Sequence, residues 1–369
     1  MRVERIELWQ TNMELVSPFV TSYGIEHFVE HIMVRIDAEG VTGWGECVAE
    51  GTPFYSYETV TTVWHIMQDF LIPAIIGKDL KKASDCVSLF EKVRGHRMAK
   101  AGIEAALWDV FAKAGGFSLS KMLGGTRNSI DVGVSIGIQS SEIELLKKID
   151  AYLKEGYKRI KIKISPGHDL APVKAVRRQF PDILFQVDAN SAYTLADIDL
   201  FKKMDDYNLL LIEQPLGYED IHEHSKLQKE IKTAVCLDES ILSLADTQAA
   251  IGLNSCRIIN IKPGRVGGFT ESKLIHDYCQ TMKVPVWHGG MYESGIGRAG
   301  NVALASLPNF TLPGDISASK RYYKEDIIEP KFVVNQDGTM DVPQGPGIGV
   351  KVNEKALKKV TVKKAGFSN

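Results

Sequence analysis

From about residue 130 onward, short apolar runs recur at a nearly constant interval, and this pattern leaves little choice of architecture. The runs are "IDVGVSIG", "RIKIKIS", "LFQVDAN", "LLLIEQP", "AVCLDES", "RIINIKP", "VPVWHGG" and "FTLPGD". Amphipathic segments separate most of them, and strand–helix alternation predicts right-handed crossovers and a parallel sheet. Eight runs predict a closed barrel of the (β/α)8 type over residues 126–320. An open doubly wound sheet is the alternative, but no GxGxxG follows the first run.

The first 125 residues read differently. "RVERIELWQ" alternates as a strand, and "HIMVRIDAEGVTGWGECV" reads as a hairpin turning near Ala38-Glu39-Gly40. Residues 57–75 and 83–94 are expected to be helical. "AKAGIEAALWDVFAKAGG" carries apolar residues at helical spacing and stops on Gly115-Gly116. Residues 1–125 are therefore an α+β unit. Beyond residue 320 the segment 321–369 becomes turn-rich and is expected to return to the first domain. The fold class is α/β.

Composition narrows the function. A chain of 369 residues with 44% hydrophobic and 24% charged residues is ordinary for a soluble globular protein. A net charge of −2 gives no electrostatic reason to expect nucleic acid or an anionic membrane as partner. No run approaches the roughly 18 apolar residues of a membrane span, and the N-terminus lacks the apolar stretch of a signal peptide. The five cysteines form no CxxC pair and read as buried free thiols in a reducing compartment, the cytoplasm.

The chemistry lies in what ends the runs. In "YKRIKIKISP", Arg159, Lys161 and Lys163 alternate with Ile160, Ile162 and Ile164, which alone would suit a half-exposed strand. Lys163, Asp188, Glu213, Asp238 and Lys262, however, follow one another about 25 residues apart, one βα unit each. Charges recurring at the carboxyl ends of barrel strands converge on the mouth, where barrel enzymes keep their active sites. Two lysines would face each other there with three carboxylates along one arc. Converging carboxylates repel unless a cation sits among them. All-oxygen ligation favours a hard ion, Mg²⁺ first and Mn²⁺ next. Such an ion polarises a bound carboxylate, and nearby ammonium groups stabilise the enediolate formed when its α-proton leaves. Lys161, two residues before Lys163, is placed to lower the pKa of that base. The predicted reaction class is proton abstraction α to a carboxylate.

"KIK", "VDAN", "IEQP", "LDES" and "NIKPGRVGG", in this order and spacing, resemble the muconate-lactonizing subgroup of the enolase superfamily, over essentially the whole chain. The resemblance implies a modified (β/α)7β barrel and an N-terminal capping domain, with the "GWGE" element, completed by the C-terminal segment. It implies Asp188, Glu213 and Asp238 as Mg²⁺ ligands, Lys163 and Lys262 as acid/base residues on opposite faces of the substrate, and Lys161 as a residue that tunes and orients Lys163. Asn190 and Glu239 would be supporting or substrate-side polar groups. Arg265 in "KPGRVGG", with "SPFVTSYG", "EGTPFYSYET" and "GGMYESGIGRA", is similar to the o-succinylbenzoate synthase/N-succinylamino acid racemase group. Phe19 and Tyr55 from the cap and Ser135, Gly290 and Met291 from the barrel rim are the implied pocket residues. The expected enzyme is a carbon-oxygen lyase of menaquinone biosynthesis with racemase activity, acting on a small carboxylate and assembled as a homo-oligomer. A dedicated N-acylamino acid racemase is the alternative, followed by dipeptide epimerase and cycloisomerase.

Other groups are read as structural. His288 lacks the strand-six aspartate that pairs with a catalytic histidine in another branch of the superfamily, so it is expected to be structural or pocket-lining. Glu46 and Glu293 have no periodic partner and read as hydrogen-bonding residues. Gly289 and Gly290 read as a tight turn rather than a phosphate cradle. A glycosidase would have little use for opposed lysines, and decay to a non-catalytic metal-binding barrel would not retain all five charged groups.

Overall fold

A computed structural model describes residues 1–368. The cap begins with three antiparallel strands, β1 (Val3–Val20), β2 (Ile25–Ala38) and β3 (Val41–Cys47). Successive side chains on a strand point to opposite faces, and here both faces are covered. Ile6, Leu8, Ile32, Val34 and Ile36 join a core shared with the cap helices. Trp9, Met13, Val29 and Met33 pack into the core of the barrel. The cap sheet is thus a layer between its own helices and the barrel.

The "GWG" of β3 has a packing cause. A Cβ on Gly43 or Gly45 would run into the backbone of Ala106 or Gly102, on the helix Arg97–Ala114 that crosses the strand. Only glycine lets the two backbones approach that closely. The helix itself ends at Gly115, followed by Gly116 at φ 68. The other two helical expectations need trimming. The first helical stretch starts at Val60, where Thr59 and Thr62 form a capping box. It widens into a π turn at Met67–Leu71 before continuing over Ile72–Ile75. In the second, only Asp85–Leu89 is helical. Left-handed residues Gly95 and His96 then redirect the chain into the long helix.

The barrel opens with two short strands, β4 (Ser129–Asp131) and β5 (Gly133–Ile136). The strands β6 (Arg159–Lys163), β7 (Leu184–Asp188), β8 (Ile212–Glu213) and β9 (Val235–Leu237) follow. The last barrel strands are β10 (Ile258–Ile261) and β11 (Val286–His288). Strands β5 to β11 form one seven-stranded parallel sheet in sequence order. The eighth run does not form a regular strand. Residues 310–315 make single bridges, Val286 to Phe310 and Val132 to Gly314, and so link the two sheet edges. Pro313, inside that run, has no N–H to give a ladder.

The remaining strands are β12 (Ile328–Glu329), β13 (Thr339–Asp341), β14 (Lys351–Val352) and β15 (Thr361–Ser368). β13 pairs with β4, and β15 runs antiparallel to β1 along the edge of the cap sheet. No helix among the described residues is long and apolar enough to cross a membrane. The five cysteines are buried and free.

Candidate active site

All five residues of β6 are buried. Ile160 and Ile162 belong to the barrel core, while Arg159, Lys161 and Lys163 turn inward among carboxylates. A buried ammonium is tolerable only when paired, and each one here is. Lys163 Nζ donates to Asp188 Oδ2 at 2.7 Å and to Asn190 Oδ1 at 2.6 Å. Lys161 Nζ lies 2.9 Å from Glu213 Oε2, 3.1 Å from Asp188 Oδ2 and 2.5 Å from Asp315 Oδ2. Four strands along the sheet, Lys262 Nζ donates to Asp238 Oδ2 at 2.7 Å and to the Tyr55 hydroxyl at 3.0 Å.

The three expected metal ligands are brought together by register. Asp188 and Glu213 are direct partners across the parallel pair β7–β8. Asp238 follows β9, and its N–H donates to Gln214 Oε1 at 3.0 Å. Burial and the charges of Asp188 and Asp238 push the Glu213 carboxyl well above its ordinary range. Asp238 is held low despite burial, chiefly by Lys262 and Arg265. Among the described residues no three acidic, cysteine or histidine side chains stand as an assembled ion-binding cluster; oxygens of Asp188, Glu213 and Asp238 pair instead with Lys161, Lys163, Lys262 and Arg265. The donor set, all oxygen and under like-charge pressure, fits a hard divalent cation.

The other expected site residues divide into two sets. Phe19, Tyr55, Ser135, Asn190, Gly290 and Met291 line one cavity with Lys161, Lys163 and Lys262. Glu239 and Arg265 stand outside its lining. Asn190 Nδ2 donates to Glu239 Oε1 at 2.9 Å. Burial and the neighbouring Asp238 and Asp188 push Glu239 up to about 7. Arg265, 2% exposed, pairs with Asp238 and donates to the carbonyls of Ile241 and Asn260. Arg265 therefore braces Asp238 from outside the cavity lining.

Reading by sequence missed several groups. Asp315, at the end of the irregular eighth run, pairs with Arg159 at 2.6 Å as well as with Lys161. These two cations hold it at about 2 against the upward pull of burial. Burial alone would lower the Lys161 ammonium, but Asp315, Glu213 and Asp188 raise it well above the ordinary value. Asn260 Nδ2 donates to Glu213 Oε1 at 2.6 Å. Asn260 lies two residues before Lys262, so alternation on β10 was a usable signal for it. Tyr23, Glu50, Tyr292 and Tyr322 also line the cavity; they sit in loops, where no period marks them.

Local geometry explains the glycines that follow β11. A Cβ on Gly289 would collide with Asn260 and with the Lys262 side chain, and one on Gly290 with the carbonyl of Asp315. His288 is 1% exposed, and burial pushes its imidazole down to about 3. It lines a separate small cavity with Arg127 and Phe310, whose wall includes none of the lysines. Glu46 joins the two domains. It accepts from Ser294 N at 3.0 Å, Ser294 Oγ at 2.6 Å and Gly297 N at 2.8 Å, at the start of helix Gly295–Ala305. A carboxylate at a helix N-terminus is favoured by the unpaired N–H groups and the helix dipole. Glu293 accepts from the Met291 N–H at 2.9 Å and shapes the same loop.

Comparison with known proteins agrees with this architecture. Residues 5–124 match the family description "Mandelate racemase / muconate lactonizing enzyme, N-terminal domain", and residues 144–356 match "Enolase C-terminal domain-like". The o-succinylbenzoate synthase of Bacillus subtilis is 49% identical over 100% of this chain and 99% of its own length. An N-succinylamino acid racemase from an Amycolatopsis species is 47% identical over 99% of each chain. The crystal structure of an enolase superfamily member from Listeria innocua superposes with a TM-score of 0.96 at 42% identity, covering 100% of this chain and 99% of that one. The chain belongs to the mandelate racemase/muconate lactonizing enzyme family of the enolase superfamily.

Proposed function

We propose that this enzyme removes the α-proton of a succinyl-bearing carboxylate and acts as an o-succinylbenzoate synthase with N-succinylamino acid racemase activity. The observation that carries the reading is one of placement. Lys163 and Lys262 stand four strands apart in one curled sheet, line the same cavity, and have Asp188, Glu213 and Asp238 on the strands between them. Full-length relatives named for each of the two activities lie close to this chain.

Asp188, Glu213 and Asp238 would hold Mg²⁺. The ion would supply a Lewis acid for the substrate carboxylate and the positive charge that these carboxylates otherwise take from lysine. The chain's own residues do the rest. Lys163, held by Asn190, takes the α-proton from one face. In racemisation Lys262, held by Tyr55, returns a proton to the other face. In the synthase reaction Lys262 stays an ammonium that stabilises the enediolate, while the proton taken by Lys163 leaves with the hydroxyl of the adjacent carbon as water. Lys161 is locked among three carboxylates and holds their geometry. Phe19, Tyr292 and Tyr322 make an aromatic wall of that cavity, Phe19 and Tyr292 edge to face at 5.2 Å and Tyr292 and Tyr322 at 5.5 Å, which limits the water at the reacting carbon.

Steady-state kinetics of one preparation with the synthase substrate and with an N-succinyl amino acid, both with Mg²⁺, test the reading. Turnover of at least one is expected. Failure of both to react would remove the succinyl-specific assignment.

A further inference from the structure

The cavity between the lysines is small, leaving room of about 40 Å³, enough for only a few water molecules. A second cavity of about 320 Å³ lies against it in the cap. Glu50 and Tyr292 line both and form the wall between them. A substrate with its reacting carbon between Lys163 and Lys262 and a bulky side chain has this neighbouring space into which to extend.

That space is acidic. Glu26, Glu30 and Glu50 line it together with Thr52, Phe28 and Tyr292, and His27 is the one basic side chain among the described residues of its wall. Glu30 accepts from Gln10 Nε2 at 3.2 Å, and its Oε1 would lie 3.3 Å from a Cβ on Gly51, so its carboxylate borders the loop that carries Glu50. Glu50 is the informative member. It is 8% exposed, and its Oε2 is buried without a hydrogen-bond partner, as is the Thr52 hydroxyl. A buried, unpaired carboxylate is costly and calls for a partner. Among the described residues no cationic side chain forms an ion pair with it. Burial, more than the nearby Glu26, pushes its carboxyl up to about 7, although the charges of His31, Lys262 and Lys163 pull the other way.

A neutral side chain gives Glu50 nothing, and a side chain ending in a carboxylate is repelled by it. A substrate bearing a cation supplies what the wall lacks. Tyr292 brings an aromatic ring to the wall, and Phe28, 53% exposed, an apolar surface for an aliphatic stem. We propose that this cap cavity receives the side chain of N-succinyl amino acids with a cationic end, of the lysine or arginine class, in preference to neutral side chains of equal length. The inference rests on the α-proton chemistry proposed above and names the substrate class that suits this chain.

The test compares N-succinyl-L-lysine with N-succinyl-L-norleucine, which keeps the carbon stem and lacks the amine. Racemisation of both is followed with Mg²⁺ on the full-length enzyme. The wild type is expected to favour lysine by about tenfold or more in kcat/KM, mostly through KM. Added salt should narrow the ratio. Glu50→Gln is expected to bring it close to parity, and Glu26→Gln to reduce it in part. Equal handling of the two substrates by the wild type would overturn the inference while leaving the succinyl reading intact, as would a ratio that survives in Glu50→Gln. If neither compound is racemised and the synthase substrate is inert as well, the parent reading fails and takes the inference with it.

Discussion

Replacing Glu46 by glutamine should weaken the joint between cap and barrel without changing the size of the side chain. The Glu46 carboxylate is buried and accepts three hydrogen bonds from Ser294 and Gly297, and His31 Nδ1 lies 2.7 Å from Oε1. Glutamine keeps one acceptor oxygen and turns an NH₂ toward donors. The loss is about two bonds to a charged acceptor, each worth roughly 1.5–3 kcal/mol, or about 3 kcal/mol at the low end. That is a large part of a typical stability of about 5–15 kcal/mol. At about 2–4 °C per kcal/mol for a large domain, Tm should fall by roughly 6–12 °C. The change should be read by circular dichroism and by calorimetry at pH 7. The pH dependence has a definite sign. Against the pull of burial, His31 and Ser294 hold Glu46 below its ordinary range. Its contribution is therefore fully present above the unfolded carboxylate value, about 4.3, and is lost as pH falls through the lower folded value. The gap between wild type and Glu46→Gln should be open at about pH 6 and close below about pH 4. The same loop carries Gly290, Met291 and Tyr292 into the reaction cavity, so KM should rise as well. A Tm within about 2 °C of wild type, or a gap that widens in acid, would refute the reasoning.

Two further outcomes follow from the site. Mg²⁺ should raise the Tm of the wild type, by the equivalent of about 2.7 kcal/mol at a hundred times its Kd, and EDTA should reverse the rise. Glu213→Gln should lose most of it in the same thermal melts, and an undiminished shift in that variant would remove Glu213 from the ligand set. Asp315→Asn leaves Arg159 and Lys161 without a shared buried counter-charge. It should cost about 3–5 kcal/mol in denaturant unfolding; a loss under about 1 kcal/mol would mean that Asp315 is not the counter-ion it resembles.

Much of this molecule is legible in its sequence because strand–helix units repeat. The period that carries Lys163, Asp188, Glu213, Asp238 and Lys262 fixes which side chains share the barrel mouth, whatever the loops do. Three things escape it. The eighth run closes the barrel through single bridges, so Asp315, although it ends that run, stands off the regular strand ladder. Glu50, Tyr23 and Tyr292 come from loops whose approach to the mouth depends on how the cap docks, a contact between segments far apart in sequence. Arg265 was placed in the site by resemblance to a group, which left open whether it supports the site or meets substrate; its guanidinium goes to Asp238 and two backbone carbonyls. Spacing along the chain places a residue on an element, and the direction of a long side chain is settled by its partners.

The most direct test of the two-lysine mechanism is exchange of the α-proton in D₂O. An N-succinyl amino acid is incubated with Mg²⁺ and with wild type, Lys163→Ala or Lys262→Ala, and followed by proton NMR and optical rotation. The wild type should exchange the α-proton and racemise, and each alanine variant should lose racemisation while keeping its fold by circular dichroism. Racemisation that survives intact in either variant would contradict the assignment of the two lysines to opposite faces of the substrate.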